Sequence, residues 1–216
     1  MRRQFGILTL LAALFLLLGN ATEAGGDKNV FFNGKDLDGW NGLTEYWSVK
    51  DGAIVGSSAP AGIKFNTFLV RKGTYKDFEL SFEVRLKDGK GNSGVQIRSK
   101  MKDDKKYVVA GPQCDMADGY WGSLYGELFP FGTNGAMMKA APKDIVAKAM
   151  PKKGEFMPYE IKAVGKHVTI KLNGLTTVDA DFPDMPDEGI IALQVHSGGA
   201  MEVTFRKIQF KDLTKK

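Results

Sequence analysis

Cysteine is nearly missing from this sequence: Cys114 is the only one in 216 residues. That excludes a disulfide framework and a multi-cysteine zinc site. Histidine is almost as scarce. With only His167 and His196, a three-histidine metal centre is excluded too. Nucleotide-phosphate motifs are missing, since no G-x-G-x-x-G opens a helix and no P-loop occurs. Neither H-E-x-x-H nor the G-x-S-x-G nucleophile elbow is present. There is no internal repeat, no heptad pattern and no strand–helix–strand spacing for a parallel sheet. Neither sign of charge dominates: 30 Lys and Arg face 25 Asp and Glu, a formal +5. The lysines are spread out, with small clusters at Lys102–Lys106 and Lys152-Lys153, which reads as a solvated surface rather than a nucleic-acid footprint.

What is present is ordinary globular material. The chain is 43% hydrophobic and 25% charged, with 26 glycines. It can build a sizeable core and needs many turns. The first 24 residues stand apart. Arg2 and Arg3 precede an apolar run from Phe5 to Leu18, and small residues follow at Gly19-Asn20-Ala21 and Thr22-Glu23-Ala24. This is the anatomy of a secretory signal peptide over 1–24, with a periplasmic or secreted protein as the expectation. The rival is an uncleaved anchor, but the run falls short of the ~20 residues a span needs. No second apolar run follows, so no stable membrane span is expected after cleavage. Residues 28–216 are expected to form one domain.

Beyond residue 28 the dominant pattern has period two. Phe78, Leu80, Phe82, Val84 and Leu86 alternate with Glu79, Ser81, Glu83 and Arg85, as in a strand with one buried face. Val95–Arg98 reads as its partner across a turn-rich hairpin link at Lys87–Asn92; a phosphate cradle in the Gly89–Gly94 run is the weaker alternative. His167–Leu172, then Asn173-Gly174, then Thr176–Val178 form the strongest hairpin signal. Ile190–His196 and Met201–Phe210 are further strands. Shorter candidates are Trp47–Val49, Ala53–Val55, Thr67–Val70, Tyr107–Val109 and Tyr159–Val164. One helix is possible around Pro142–Met150, ended by Pro151, although the stretch could equally be loop. About ten short strands with turns between them predict an all-β sandwich or barrel.

Seven motifs run in order: Phe31–Trp40, Trp47–Gly56, Asp77–Leu80, Asn92–Arg98, Asp118–Glu127, Leu172–Gly174 and Gly189–Gly198. Over about residues 29–213 the chain resembles the bacterial 3-keto-disaccharide hydrolase family. The resemblance implies a concanavalin-A-like jelly-roll β-sandwich of two antiparallel sheets, with a concave face that holds a sugar. It implies cleavage of a glycoside oxidised at C3, with a 3-keto-sugar or other carbohydrate as ligand. The sequence departs from the family pattern at Phe156-Met157-Pro158-Tyr159 and Gly111–Asp115.

A ketone at C3 acidifies the hydrogen at C2, because the carbanion is an enolate. Loss of that proton allows β-elimination of the C1 oxygen, and water can then add to the enone. Such a site needs a base near C2, an acid at the leaving oxygen and stabilisation for the enolate. Strand parity nominates the residues. Leu193 and Val195 share an apolar face, so Gln194 and His196 share the polar one; likewise Gln96 and Arg98 oppose Val95 and Ile97. Gln113 and Asp115 share a face if their segment is extended. The expected catalytic set is His196, Asp115 and Gln194. Expected substrate contacts are Gln113, Arg98, Trp121, Tyr125, Glu127 and Glu83, with Tyr120 beside them. Trp121 could stack on a sugar or pack in the core. Glu83 could instead form a cross-strand ion pair. His167, Trp40, Trp47 and Cys114 carry no expected role in the chemistry. No cofactor is certain. A divalent metal ion chelated by the 3-keto and 2-hydroxyl groups would suit the chemistry, but the spacing of candidate ligands does not show one. Two other functions stay open: a non-catalytic carbohydrate-binding jelly roll, and a glycoside hydrolase with paired carboxylates, against which the lack of a Glu-x-Asp-x-x-Glu motif argues.

Overall fold

The computed structural model describes residues 30–129 and 135–214; the expected signal peptide lies outside them. Fourteen strands occur among the described residues. In chain order they are β1 (Trp40–Asn41), β2 (Trp47–Lys50), β3 (Ala53–Ser57), β4 (Thr67–Tyr75), β5 (Phe78–Leu86), β6 (Asn92–Asp103) and β7 (Val108–Ala117), followed by β8 (Leu124–Glu127), β9 (Ala136–Lys139), β10 (Met157–Val164), β11 (His167–Leu172), β12 (Leu175–Asp181), β13 (Gly189–Val195) and β14 (Glu202–Asp212). One helix, α1 (Lys143–Ala149), lies between Pro142 and Pro151, where the two prolines placed it. No helix among the described residues is long and apolar enough to cross a membrane.

The strands make two antiparallel sheets, ordered β1-β4-β13-β6-β7-β8-β9 and β12-β11-β10-β5-β14-β3-β2. The core lies between them. Strand β5 contributes Phe78, Leu80, Phe82, Val84 and Leu86, all buried, as the alternation dictates. From the first sheet come Val95, Ile97, Cys114, Met116, Leu193 and Val195. Trp40 and Trp47 are buried in the same core. The β11–β12 hairpin closes on Asn173 and Gly174, with φ of 47° and 77°. Positive φ at both positions is what a two-residue turn of this type requires, and Asn-Gly supplies it with least strain.

The link at Lys87–Asn92 is not a hairpin. Strand β5 is already paired on both sides, with β10 and β14, and β6 lies in the other sheet. The segment therefore crosses the edge of the sandwich, with one 3₁₀ turn at Lys87–Gly89. Two strands that each send apolar residues into the same core can face one another across it as readily as they can pair, and the alternation does not tell these cases apart.

Gln96, Gln113 and Gln194 sit on the face of the first sheet turned away from this core, yet all three are buried. The β6–β7 connection covers the Gln194 end of this face. It folds back over the sheet and reaches β4, where Phe68 N–H donates to the Tyr107 carbonyl (3.0 Å) and Thr67 Oγ donates to the Lys106 carbonyl (2.8 Å). A small second apolar cluster of Phe68, Val70, Val109 and Ala192 packs there.

Candidate functional site

Four strands of the first sheet set out the site in rows. Gln96 of β6 lies opposite Gln113 of β7, and Gln113 lies opposite Tyr125 of β8. One pleat along, Gly94 of β6 lies opposite Asp115. From the other flank β13 brings Gln194, and His196 follows its last residue. Asn92, Gln113, Asp115, Tyr120, Tyr125, Glu127 and His196 line one cleft of about 200 Å³. That is small beside the roughly 300–1,000 Å³ usual for ligand pockets, room for one part of a larger molecule.

The buried amides form a chain with a fixed sense. Gln113 Nε2 donates to Asp115 Oδ1 at 2.9 Å. Its Oε1 accepts from Gln96 Nε2 at 3.0 Å, and Gln96 Oε1 accepts from Ser99 Oγ at 2.5 Å. Gln113 Nε2 also lies 3.4 Å from Gln194 Oε1. A carboxylate can only accept, so Asp115 sets the orientation of each amide back to the serine hydroxyl. From the core side, Tyr159 Oη donates to the Asp115 carbonyl at 3.2 Å. Asp115 is therefore held through both its side chain and its backbone.

Burial pushes the Asp115 carboxyl up to about 7; the Gln113 bond opposes the shift, while the negative charge of Glu127 adds to it. Tyr125 is raised, chiefly by burial and then by the Glu127 charge, so its phenol stays protonated and can donate. His196 is half-buried, and its Nδ1 lies 2.6 Å from the Ser197 carbonyl. A carbonyl only accepts, so Nδ1 carries a hydrogen, and Nε2 is the nitrogen left to exchange a proton.

Gly94 makes the Asp115–Gln113 contact possible. A Cβ at this position would sit 2.6 Å from Gln113 Cγ and Cδ. Gly94→Ala should push Gln113 aside and weaken its bond to Asp115. Because that bond lowers the Asp115 value, losing it moves the carboxyl's midpoint above 7. A pH profile of the variant should shift to higher pH, and an unmoved profile would show that Gln113 does not tune Asp115.

His196, Asp115, Gln113, Tyr125 and Glu127 thus meet at one cleft, with Gln194 behind it. Three expected contacts do not join them. Arg98 follows strand parity only as far as a β-bulge. Between Gln96 and Lys100 strand β6 spends one residue more than β7, and it does the same against β13. Arg98 takes φ 47° there, and its fully buried guanidinium bonds to Asp77 Oδ1 (3.0 Å) and to the carbonyls of Lys76 (2.6 Å), Gly165 and Pro186 (3.2 Å). Glu83 lies on the outer face of the other sheet, 2.6 Å from both Arg206 Nε and Lys207 Nζ, which is the ion-pair alternative. Trp121 is 9% exposed and packs in the main core. Sequence reasoning missed Asn66 and Asn92: an isolated Asn in a loop or at a strand's first residue belongs to no alternating pattern. Among the described residues no group of three His, Cys, Asp or Glu side chains is placed to hold a metal ion.

Two seven-stranded antiparallel sheets packed face to face, with a polar, carboxyl-bearing cleft on one of them, define a protein of the concanavalin-A-like jelly-roll class. The chain belongs to the 3-keto-disaccharide hydrolase family, described as a 3-keto-α-glucoside-1,2-lyase-like domain, whose model matches residues 27–211. It is similar to two candidate glycosyl hydrolases of known structure from Parabacteroides distasonis. One has a TM-score of 0.59 at 25% identity, covering 83% of this chain and 96% of its own. The other has a TM-score of 0.62 at 23% identity, covering 85% and 92%. The carbohydrate-binding module CBM66 from Bacillus subtilis shares the fold, with a TM-score of 0.59 at 19% identity over 81% of this chain and 96% of its own. No curated protein matches the sequence.

Proposed function

We propose that this protein is an exported enzyme that cleaves 3-keto-glycosides by elimination across C1–C2 of the oxidised sugar, followed by hydration. The observation that carries this reading is Asp115: a buried carboxyl at a cleft wall, pinned by Gln113 and titrating near neutrality. A base poised near the working pH is what removal of a ketone-activated C–H requires. Asp115 takes the C2 proton and the electron pair forms the enolate. The enolate re-forms the ketone as the C1–O bond breaks, and the leaving oxygen takes the proton that Asp115 has just gained from C2; His196, whose bare Nε2 can only accept, takes a proton from the water that follows. Water then adds at C1 of the enone. The Tyr125 phenol is a donor for the enolate oxygen, and the buried Asn92 Oδ1, which has no protein partner among the described residues, is an acceptor for a sugar hydroxyl.

Purified protein is expected to convert 3-keto-trehalose or a 3-keto-glucoside to the free aglycone or second sugar, and to leave the unoxidised glycoside intact. In deuterated water the 3-keto product should carry deuterium at C2. Cleavage without deuterium there, or cleavage of the unoxidised sugar, rules the elimination out. Binding of the sugar with no turnover would favour the binding-module alternative.

A further inference from the structure

Asn66 lies in the loop just before β4, and Glu127 ends β8. Three strands separate β4 from β8 in the sheet, so on a flat sheet they would stand about 19 Å apart at the usual ~4.8 Å spacing. Asn66 Nδ2 nevertheless donates to Glu127 Oε1 at 2.8 Å. The segment entering β4 and the end of β8 therefore arch toward each other over the cleft. The other end of the same amide is also occupied: Asn66 Oδ1 accepts the Ser197 N–H at 2.8 Å. Ser197 is the residue whose carbonyl receives the hydrogen of His196 Nδ1.

We propose that Asn66 is a positioning residue that ties the Glu127 carboxylate and the His196 imidazole into one fixed arrangement across the mouth of the cleft. This rests on the functional reading above for its consequence in turnover, but not for its geometry. Only a primary amide offers a donor and an acceptor at the two ends of so short a side chain. It donates to the carboxylate, whose lone pair would otherwise be free to rotate toward solvent. It anchors the His196–Ser197 peptide by its N–H, which fixes Ser197 so that the carbonyl of the next peptide, one Cα on, faces Nδ1, and this selects the tautomer with Nε2 bare. Glu127 thereby keeps its charge close enough to raise both Asp115 and Tyr125. Asp at this position keeps the acceptor for Ser197 but sets a second carboxylate against Glu127. Leu removes both bonds at nearly the same volume.

The test follows the histidine directly. His167→Gln, outside the cleft, leaves His196 as the only imidazole. Nitrogen-15 spectra of neutral His196 should then show the Nδ1–H form in the otherwise native chain. They should show a mixture of the two tautomers in Asn66→Leu, and the Nδ1–H form retained in Asn66→Asp. With a 3-keto-glycoside as substrate, kcat of Asn66→Leu should fall about 10- to 100-fold, the cost of misplacing a reacting group by about an ångström, while KM changes little. An unchanged tautomer in Asn66→Leu overturns the proposal, as does full kcat in that variant. If the native chain turns over no 3-keto-glycoside, the functional reading fails, and the tautomer measurement still decides the role of Asn66.

Discussion

Asp115→Asn should give a protein that is nearly inactive and yet more heat-stable than the native chain at pH 8. The activity side follows from the loss of the proposed base, typically about 10²–10⁴-fold in rate. The stability side follows from linkage. The native carboxyl titrates near 7, whereas its unperturbed value is 3.8. As pH rises from about 4 to 7, the unfolded chain releases this proton and the folded chain does not, so stability falls across that window and then levels off. The shift of about three units corresponds to roughly 4 kcal/mol held against the fold above pH 7. Asn still accepts from Gln113 but carries no charge to bury. Its melting temperature should exceed that of the native chain by roughly 5–10 °C at pH 8, with the gap closing toward pH 4. A gap that is the same at both pH values would mean that Asp115 is not raised. In the native enzyme, kcat/KM should rise with pH to a plateau above about 7, since the base must be ionised. A group held at a cost to stability and needed for turnover marks a functional site.

Arg98→Met should do the reverse. It removes a fully buried guanidinium, takes from the carbonyls of Lys76, Gly165 and Pro186 the donor they share, and leaves Asp77 Oδ1 with the Gly165 N–H but no counter-charge. Breaking a buried pair from one side typically costs about 3–5 kcal/mol. For a chain of this length that lowers the melting temperature by roughly 10 °C. At low temperature, where the variant is still folded, its KM for a 3-keto-glycoside should match the native value. A raised KM with an unchanged melting temperature would return Arg98 to the substrate.

These two residues show what was legible in the sequence. Both were assigned to one face by strand parity. For Asp115 the assignment holds because β7 runs regularly from Gly111 to Cys114 against β8 and from Gln113 to Ala117 against β6. For Arg98 it fails because one extra residue in β6 resets the alternation, and a bulge leaves no composition signature in Gln-Ile-Arg-Ser. Alternation also revealed β5, and Asn173-Gly174 marked the β11–β12 turn, although an extra residue at Thr177 shifts the register beyond Lys171. The sheet to which a strand belongs was hidden, because both sheets present apolar residues to one core. The short strands β1, β8 and β9 were missed, being two to four residues long. Asn66 acts through a contact 61 residues away in the chain, which no local pattern encodes.

The strand order also governs how the chain reaches this state. Strand β13 inserts between β4 and β6, and β14 between β3 and β5, so the last quarter of the chain supplies an interior strand to each sheet. Until residues 189–212 emerge from the ribosome, neither sheet can close, and the partial chain carries open strand edges on both sides of two gaps. Assembly therefore waits on residues 189–212 rather than proceeding stepwise from the N-terminus. Its many distant pairings place it among the slower folders, with times toward milliseconds to seconds. A chain ending before Gly189 loses Gln194 and His196 and also the two strands that join each half-sheet to the other.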